Sequence, residues 1–80
     1  MSYLSDVRQI IADILNIPAP ALDPDAEMSD VDGWDSMRNI QILSSLEDHY
    51  GLMFPDEDIF DLTSVRAFAR EIEKLTAGNV

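Results

Sequence analysis

Apolar side chains recur at every third or fourth position along this chain of 80 residues and do not alternate at every second position. An α-helix turns once in 3.6 residues, so this spacing is typical of helices that bury one face, whereas alternation would indicate a strand. Four stretches show it: about residues 2–15, about 36–50, a short stretch starting near Pro55, and a last one after Thr63 and Ser64. The pattern therefore predicts an all-α fold with four helices, of which the third is short.

Residues that start or stop helices support these boundaries. Ser2 or Ser5 is the expected N-cap of the first helix, and Asp35 or Ser36 that of the second. Gly51 then supplies a left-handed stop for the second helix. The spacing within that helix predicts an inward face made of Met37, Ile40, Leu43, Leu46 and Tyr50.

The segment between the first two helices, residues 17–35, contains three of the four prolines and many acidic residues. Such residues favour turns over regular structure. Scattered apolar residues (Ile17, Leu22, Met28 and Val31) can pin the segment to a core. We therefore expect a long ordered loop rather than a linker between domains, and long loops in compact domains are often functional.

The loop ends with Trp34, for which two interpretations stay open. It is either an anchor that pins the loop against the second helix or an exposed aromatic residue at a partner surface. Tryptophan brings much apolar area, but its N–H needs a partner, so we expect partial burial.

The charge of the chain argues against several classes of partner. Sixteen acidic and five basic side chains give a net charge of −11, which argues against nucleic acid and anionic membranes as partners, since binding to either needs clustered Lys and Arg. Twelve of the acidic residues lie between Asp23 and Asp61, where Arg38 is the only lysine or arginine. This region is either a solvated acidic face or a docking surface for basic partners.

The short length and the sparse chemistry of the chain set further limits. A chain of 80 residues makes one small core, so we expect a single domain. The lack of cysteine and the single histidine, His49, argue against disulfides and the usual zinc sites. The first fifteen residues lack the features of a signal peptide, and no stretch approaches the length of a membrane span. We therefore expect a soluble cytoplasmic protein.

The stretch "GWDSM", residues 33–37, places a serine hydroxyl where a loop becomes a helix. On one interpretation, Ser36 and Asp35 only cap that helix, because both are strong capping residues. Ser36 cannot be a self-activated nucleophile, because that chemistry needs an adjacent base. His49 lies thirteen residues along the same helix, ~20 Å away at 1.5 Å per residue. The residues alone therefore give no support for an enzyme.

The stretch from "GWDSMRNIQILSSLEDHYGLMFPDEDIF" to "DLTSVRAFAREI" resembles, without gaps, the second half of acyl carrier proteins. It is similar to the family's Asp-Ser-Leu attachment motif, its apolar helix, its proline with an acidic turn, and the Thr-Ser-Val start of its last helix. Earlier, "VRQIIADILNI" is similar to the first helix of the family, and "GWDS" resembles carriers of polyketide, nonribosomal peptide and other specialised pathways.

The resemblance implies a four-helix bundle with a long first loop, formed by one carrier domain over residues 1–80. It implies that Ser36 receives 4′-phosphopantetheine from coenzyme A through a separate phosphopantetheinyl transferase, which supplies its own Mg²⁺ and base. The arm would hold acyl groups as thioesters and present them to activating and condensing enzymes with basic docking patches. The carrier itself would catalyse nothing and would have no metal site.

The chain departs from the family's pattern at two places. Met37 stands where leucine is usual, which is a volume-conserving change. Arg38 and Gln41 stand where acids are common, on an exposed ridge of the second helix that continues through Ser45 and Asp48. The acidic ridge of the family is thus largely erased, so partner choice should differ from that of a fatty-acid-synthesis carrier.

Other functions compete with the carrier interpretation. "SDVDGWDS" suggests calcium, but Met28 and Asn39 stand where the EF-hand template needs acids. A stand-alone aminoacyl or peptidyl carrier and a non-carrier acidic adaptor both stay open. Fatty, polyketide, aminoacyl and other acyl groups all stay open as the cargo, because the same arm carries each of them.

Overall fold

The computed structural model describes residues 3–77, and over that range the fold is helical. The helices are α1 (Tyr3–Leu15), α2 (Ser36–Tyr50), α3 (Asp56–Ile59) and α4 (Val65–Ala77), with 3₁₀ turns at Ala19–Ala21 and Met28–Asp30 in the first loop. No β-strand forms within residues 3–77, where an isolated bridge pairs Glu27 with Ser64. The prediction of an all-α fold with four helices and a short third helix is confirmed.

The core forms where α1 packs against both α2 and α4. Its largest fully buried side chains are Phe68, Ile11, Leu22, Ile42, Leu46, Ile72, Val7 and Val65. Phe54, which precedes α3, joins this core through an edge-to-face contact with Phe68, their ring centroids 5.9 Å apart. Fully burying a side chain of this size stabilises the fold by about 1.5–3 kcal/mol. One small core therefore organises α1, α2 and α4.

The helix ends follow the capping residues. α1 is followed by Asn16, whose φ of 60° is left-handed, and α2 is followed by Gly51, whose φ is 64°. The Ser64 hydroxyl caps α4 by accepting a hydrogen bond from the Ala67 N–H at 3.1 Å. Ser5 lies inside α1 and so is not its N-cap, and Ser2 lies outside the described residues.

The predicted inward face of α2 is partly wrong. Met37 and Ile40 are 72% and 66% exposed, whereas Ile42, which the prediction omitted, is fully buried. Met37 precedes the buried Leu46 by nine residues, which is two and a half turns, so the two lie on opposite sides of the helix. Two apolar stripes with helical spacing run along α2 and share Leu43, and only packing against α1 decides which one is buried.

The first loop is ordered and attached to the helices, as predicted. Leu22 is buried, and Arg8 of α1 donates to its carbonyl oxygen at 2.8 Å. Farther along, Arg66 of α4 forms an ion pair with Asp25. This contact lowers the pKa of Asp25 and raises that of Arg66. The Met28 N–H donates to the carbonyl of residue 63 at 2.8 Å. The loop therefore forms part of the globule.

Helix α3 is a single turn, and none of its four residues is buried. Polar contacts, one before the helix and one within it, hold it to the rest of the fold. The Phe54 N–H donates to the Glu47 carboxylate at 2.9 Å, and the Lys74 ammonium lies 3.7 Å from the Asp58 carboxylate. Lys74 also lies 3.9 Å from the carboxylate of Glu71, a residue that is only 8% exposed. Charged side chains thus connect α3 to α4.

The cleft between α3 and α4 holds an unusual carboxylate. Glu71 lines a hollow of ≈ 270 Å³ together with Asp58, Asp61, Arg70 and Lys74. Its Oε2 atom is buried and has no hydrogen-bond partner among residues 3–77. Burial raises the pKa of Glu71, and Asp58 raises it further, because its carboxylate repels the charged form and can accept a hydrogen bond only from the protonated form; Lys74 acts in the opposite direction.

Candidate functional site

Ser36 is the first residue of α2, and its side chain is exposed. The turn before it uses Gly33, whose φ of 86° suits glycine. Asp35 is the N-cap: its Oδ1 accepts from the Arg38 N–H at 2.9 Å, and its carbonyl accepts from the Asn39 N–H at 2.9 Å. Of the two predicted caps, the structure selects Asp35. The Ser36 hydroxyl is thus not needed to cap the helix.

The N-terminus of α2 can receive an anion at this serine. The backbone N–H groups of Ser36 and Met37 have no hydrogen-bond acceptor within the described part of the chain. They open a helix of 15 residues, whose dipole places about half a positive charge at this end. Free N–H groups and a helix dipole together favour a phosphate. A phosphodiester on the Ser36 oxygen would meet both.

The surroundings of Ser36 contain no side chain placed to take its proton. His49 is exposed in the last turn of α2, with its ring centroid 4.7 Å from that of Tyr50. It is therefore about 20 Å from Ser36 along the helix. Asp35, the nearest carboxylate in sequence, is occupied as the helix cap. Any activation of the hydroxyl must come from another protein.

Behind Ser36, a side-chain amide connects the loop to two other parts of the fold. Trp34 is buried, with 3% of its surface exposed, and its indole N–H donates to Asn39 Oδ1 at 3.0 Å. Asn39 Nδ2 donates in turn to the carbonyl oxygen of Leu62, between α3 and α4, at 3.2 Å. Trp34 is thus an anchor of the loop, buried more deeply than the partial burial we expected.

An apolar groove begins at Ser36 and runs between α2 and α3. Its first part, ≈ 290 Å³, is lined by Met28, Ser36, Asn39, Ile40, Leu43, Ile59, Phe60 and Thr63. Its second part, ≈ 400 Å³, shares Ile40, Leu43 and Ile59 with the first and is also lined by Met53. Phe60 and Met53 are 87% and 82% exposed. The groove and its rim therefore present apolar surface to whatever approaches Ser36.

The predicted ridge on α2 is present next to this site. Arg38, Gln41 and Asp48 are exposed and Ser45 is half-buried. The Arg38 guanidinium donates to Gln41 Oε1 at 3.3 Å, and no ion pair within residues 3–77 includes Arg38. Its charge is therefore free to act on a partner.

Comparison with known proteins agrees with this geometry. A family model described as "Phosphopantetheine attachment site" matches residues 5–72. An acyl carrier protein of Helicobacter pylori (strain G27) is 30% identical over 73 residues, covering 91% of this chain and 94% of that protein. One from Solidesulfovibrio magneticus is 32% identical over 74 residues, covering 92% and 95%. The chain belongs to the acyl carrier protein family.

A solved structure supports the fold of this carrier. The solution structure of a holo acyl carrier protein from Nitrosomonas europaea matches it with a TM-score of 0.82 over 96% of this chain and 99% of that one. At 22% identity, this likeness concerns the fold.

Family membership settles the class of function. The carrier bears acyl groups on a 4′-phosphopantetheine prosthetic group and is not a catalyst. Its partners are a phosphopantetheinyl transferase and biosynthetic enzymes in general. The free N–H groups and the exposed hydroxyl at the start of α2 fit the phosphodiester of such a group.

Some features of the site were not predicted from sequence. The roles of Asn39 and Ile42 were missed, although a helical period counted back from Leu46 and Tyr50 places both on the inner face.

Within residues 3–77, no cluster of potential ligands is arranged to hold a metal ion. No helix in that range is long and apolar enough to cross a membrane.

Proposed function

We propose that Ser36 is the residue that carries 4′-phosphopantetheine and that residues 1–80 form one carrier domain. The observation that carries this proposal is the position of Ser36: an exposed hydroxyl at the start of α2, beside two free backbone N–H groups. The other serines of α2, Ser44 and Ser45, lie in the helix interior, where the N–H groups are used within the helix. Ser36 alone on α2 combines a hydroxyl with an anion site.

The chemistry at Ser36 is a phosphoryl transfer from coenzyme A. The Ser36 oxygen forms a bond to the phosphorus that bears pantetheine, the P–O bond of the pyrophosphate on that phosphorus breaks, and 3′,5′-adenosine bisphosphate leaves with the bonding electrons. The hydroxyl proton passes to a base of the transferase, since this chain offers none near Ser36. When attached, the group supplies a thiol, which the cysteine-free chain lacks, and this thiol holds acyl groups as thioesters.

The chain's own residues then position and shield the cargo. The groove that starts at Ser36 has walls formed by Ile40, Leu43 and Ile59. An apolar acyl group that entered it would be removed from water, which stabilises the bound position by about 25 cal/mol per Å² of buried apolar surface. We propose that the groove receives the apolar part of the cargo between visits to partner enzymes.

The partners that fit this surface have basic docking patches. Exposed acids flank the site on both sides, in the loop before Ser36 (Asp30, Asp32) and on α3 (Asp56, Glu57). Complementary charge would steer such enzymes towards Ser36 and set their orientation. Enzymes that activate or condense acyl groups, or aminoacyl groups, are the expected class, and we expect them to meet the carrier in the cytoplasm.

Mass spectrometry tests the attachment directly. The protein is incubated with coenzyme A, Mg²⁺ and a broad-specificity phosphopantetheinyl transferase, and one phosphopantetheine mass should be added. Ser36→Ala should gain none, whereas the matched variant Ser44→Ala, an exposed serine two turns along α2, should be labelled like the wild type. Labelling of Ser36→Ala would place the group elsewhere. A wild type that no transferase labels would leave a non-carrier adaptor as the better explanation.

A further inference from the structure

The side-chain amide of Asn39 links two segments on either side of Ser36. Its Oδ1 accepts from the buried indole N–H of Trp34, two residues before Ser36. Its Nδ2 donates to the carbonyl of Leu62, which lies 23 positions along the chain and is also buried. Both oriented groups of one amide are used, and each partner is a polar atom of a residue that is only 3% exposed.

These bonds bear on Ser36 because its own side chain is held by little else. The Ser36 hydroxyl makes no hydrogen bond within the described residues. Its place is set by the backbone between Trp34 and the first turn of α2. Trp34 is fixed by its burial and by two hydrogen bonds. Its backbone N–H donates to the Val31 carbonyl at 3.2 Å, and its indole N–H donates to Asn39. Loss of the Asn39 bond would leave a buried indole N–H unpaired, which the loop can relieve only by moving.

The second bond connects Ser36 to the far wall of the groove. Leu62 follows α3, which bears Ile59, and the exposed Phe60 lies between them. Asn39 itself lines the groove beside Ser36. The amide therefore sets the distance between the attachment residue on α2 and the segment that forms the opposite wall.

We propose that Asn39 is a positioning residue for the attachment of phosphopantetheine, which holds the Ser36 hydroxyl where a transferase can use it. The inference rests on the proposed function of Ser36. Reacting atoms must be placed to within about 1 Å, and a misplacement of that size can cost roughly 100-fold in rate. Asn39 contributes through Trp34 and Leu62 rather than by touching the reacting atoms.

Transferase kinetics on the full chain separate positioning from stability. Asn39→Ala should lower kcat for labelling at least tenfold and leave KM within about threefold, because the docking surface is retained. Trp34→Phe, which removes the donor and keeps an aromatic ring, should lower kcat less, and the double variant should be no slower than Asn39→Ala alone. The control is Ile72→Val or Ile72→Ala in α4, whichever matches the melting temperature of Asn39→Ala, and it should keep its kcat.

The proposal is overturned if Asn39→Ala keeps kcat within twofold, if its loss appears in KM alone, or if the Ile72 control is slowed equally. A nuclear magnetic resonance measurement, independent of labelling, decides the same point. In Asn39→Ala the Trp34 indole and Ser36 amide resonances should shift, and the indole proton should exchange faster with water, with no such change in the control. If wild-type Ser36 is never labelled, the proposed function fails, and these resonances still show whether Asn39 fixes Ser36.

Discussion

Glu71 offers a direct test of how this small domain balances charge against burial. The residue is 8% exposed, its Oε2 atom lacks a hydrogen-bond partner among residues 3–77, and it faces Asp58 across the cleft between α3 and α4. The change Glu71→Gln keeps the shape of the side chain and removes the charge. The new amide can also donate to Asp58, as a protonated Glu71 would.

The expected gain in the free energy of unfolding of Glu71→Gln is the difference between two opposing contributions. An unsatisfied buried polar group costs about 1–3 kcal/mol, and the substitution relieves this cost at neutral pH. It also loses attraction to Lys74, which lies 3.9 Å away and is 68% exposed, a pair worth about 0.2–1 kcal/mol. The difference leaves Glu71→Gln more stable by about 1 kcal/mol at pH 7, and a domain of this size then melts roughly 4–8 °C higher.

The pH dependence of this gain has a definite sign. Burial raises the pKa of Glu71 in the folded state above its ordinary value near 4.5. The wild type therefore has its full stability from this group below that value and loses it as the pH rises through the raised pKa. Glu71→Gln does not titrate, so the stability difference between the two proteins should be largest at pH 7 and shrink towards pH 4.

Thermal unfolding followed by circular dichroism measures this difference at each pH. Glu73→Gln is the matched control, since it removes the same charge from an exposed position on the same helix and changes the overall repulsion equally. The reasoning is refuted if Glu71→Gln is no more stable than Glu73→Gln at pH 7. It is equally refuted if the advantage persists unchanged at pH 4.

Two further predictions concern charge at the surface. Arg38→Glu, alone or with Gln41→Glu, should raise kcat/KM of the holo protein with fatty-acid-synthesis enzymes at least tenfold, about 1.4 kcal/mol, chiefly at low salt, because a basic docking patch no longer meets a like charge. Rates within twofold, with an intact dichroism spectrum, would show that Arg38 does not select partners. Salt should raise the melting temperature by screening the acids between residues 23 and 61, and millimolar Mg²⁺ should raise it more at equal ionic strength; a melting curve that responds to neither would contradict this.

The helix boundaries were predictable because single residues determine them. Gly51 and Asn16 take left-handed backbone conformations after α2 and α1, and Ser64 satisfies an N–H at the start of α4. These effects depend on neighbours in sequence, so they can be read without the tertiary fold.

The inner face of α2 was predicted less well because it depends on what packs against the helix. Met37 and Ile40 have the spacing of buried residues but face water, where they surround the proposed attachment site. The inward positions of Asn39 and Glu71 were not predicted for the opposite reason: both residues are polar and yet face the interior. Glu71 follows Phe68 by three positions and precedes Leu75 by four, which is the spacing of the buried stripe of α4. A polar residue within an apolar stripe was the available signal.

The two ends of the site are held in different ways. The hydrogen bonds of Asn39 fix the region of Ser36, whereas α3 is expected to move at a lower cost in free energy. Trp34 and Asn39 connect the Ser36 region to buried groups, so moving this proposed attachment residue breaks hydrogen bonds inside the protein. α3 buries none of its residues and is held largely by Glu47, Lys74 and the charges around Asp58. Elements with few buried contacts open at the lowest free energy. We therefore expect the proposed attachment residue to stay in place while the groove adjusts through α3, so that any effect of the cargo on partner recognition arises at α3 and at the exposed Phe60 that follows it.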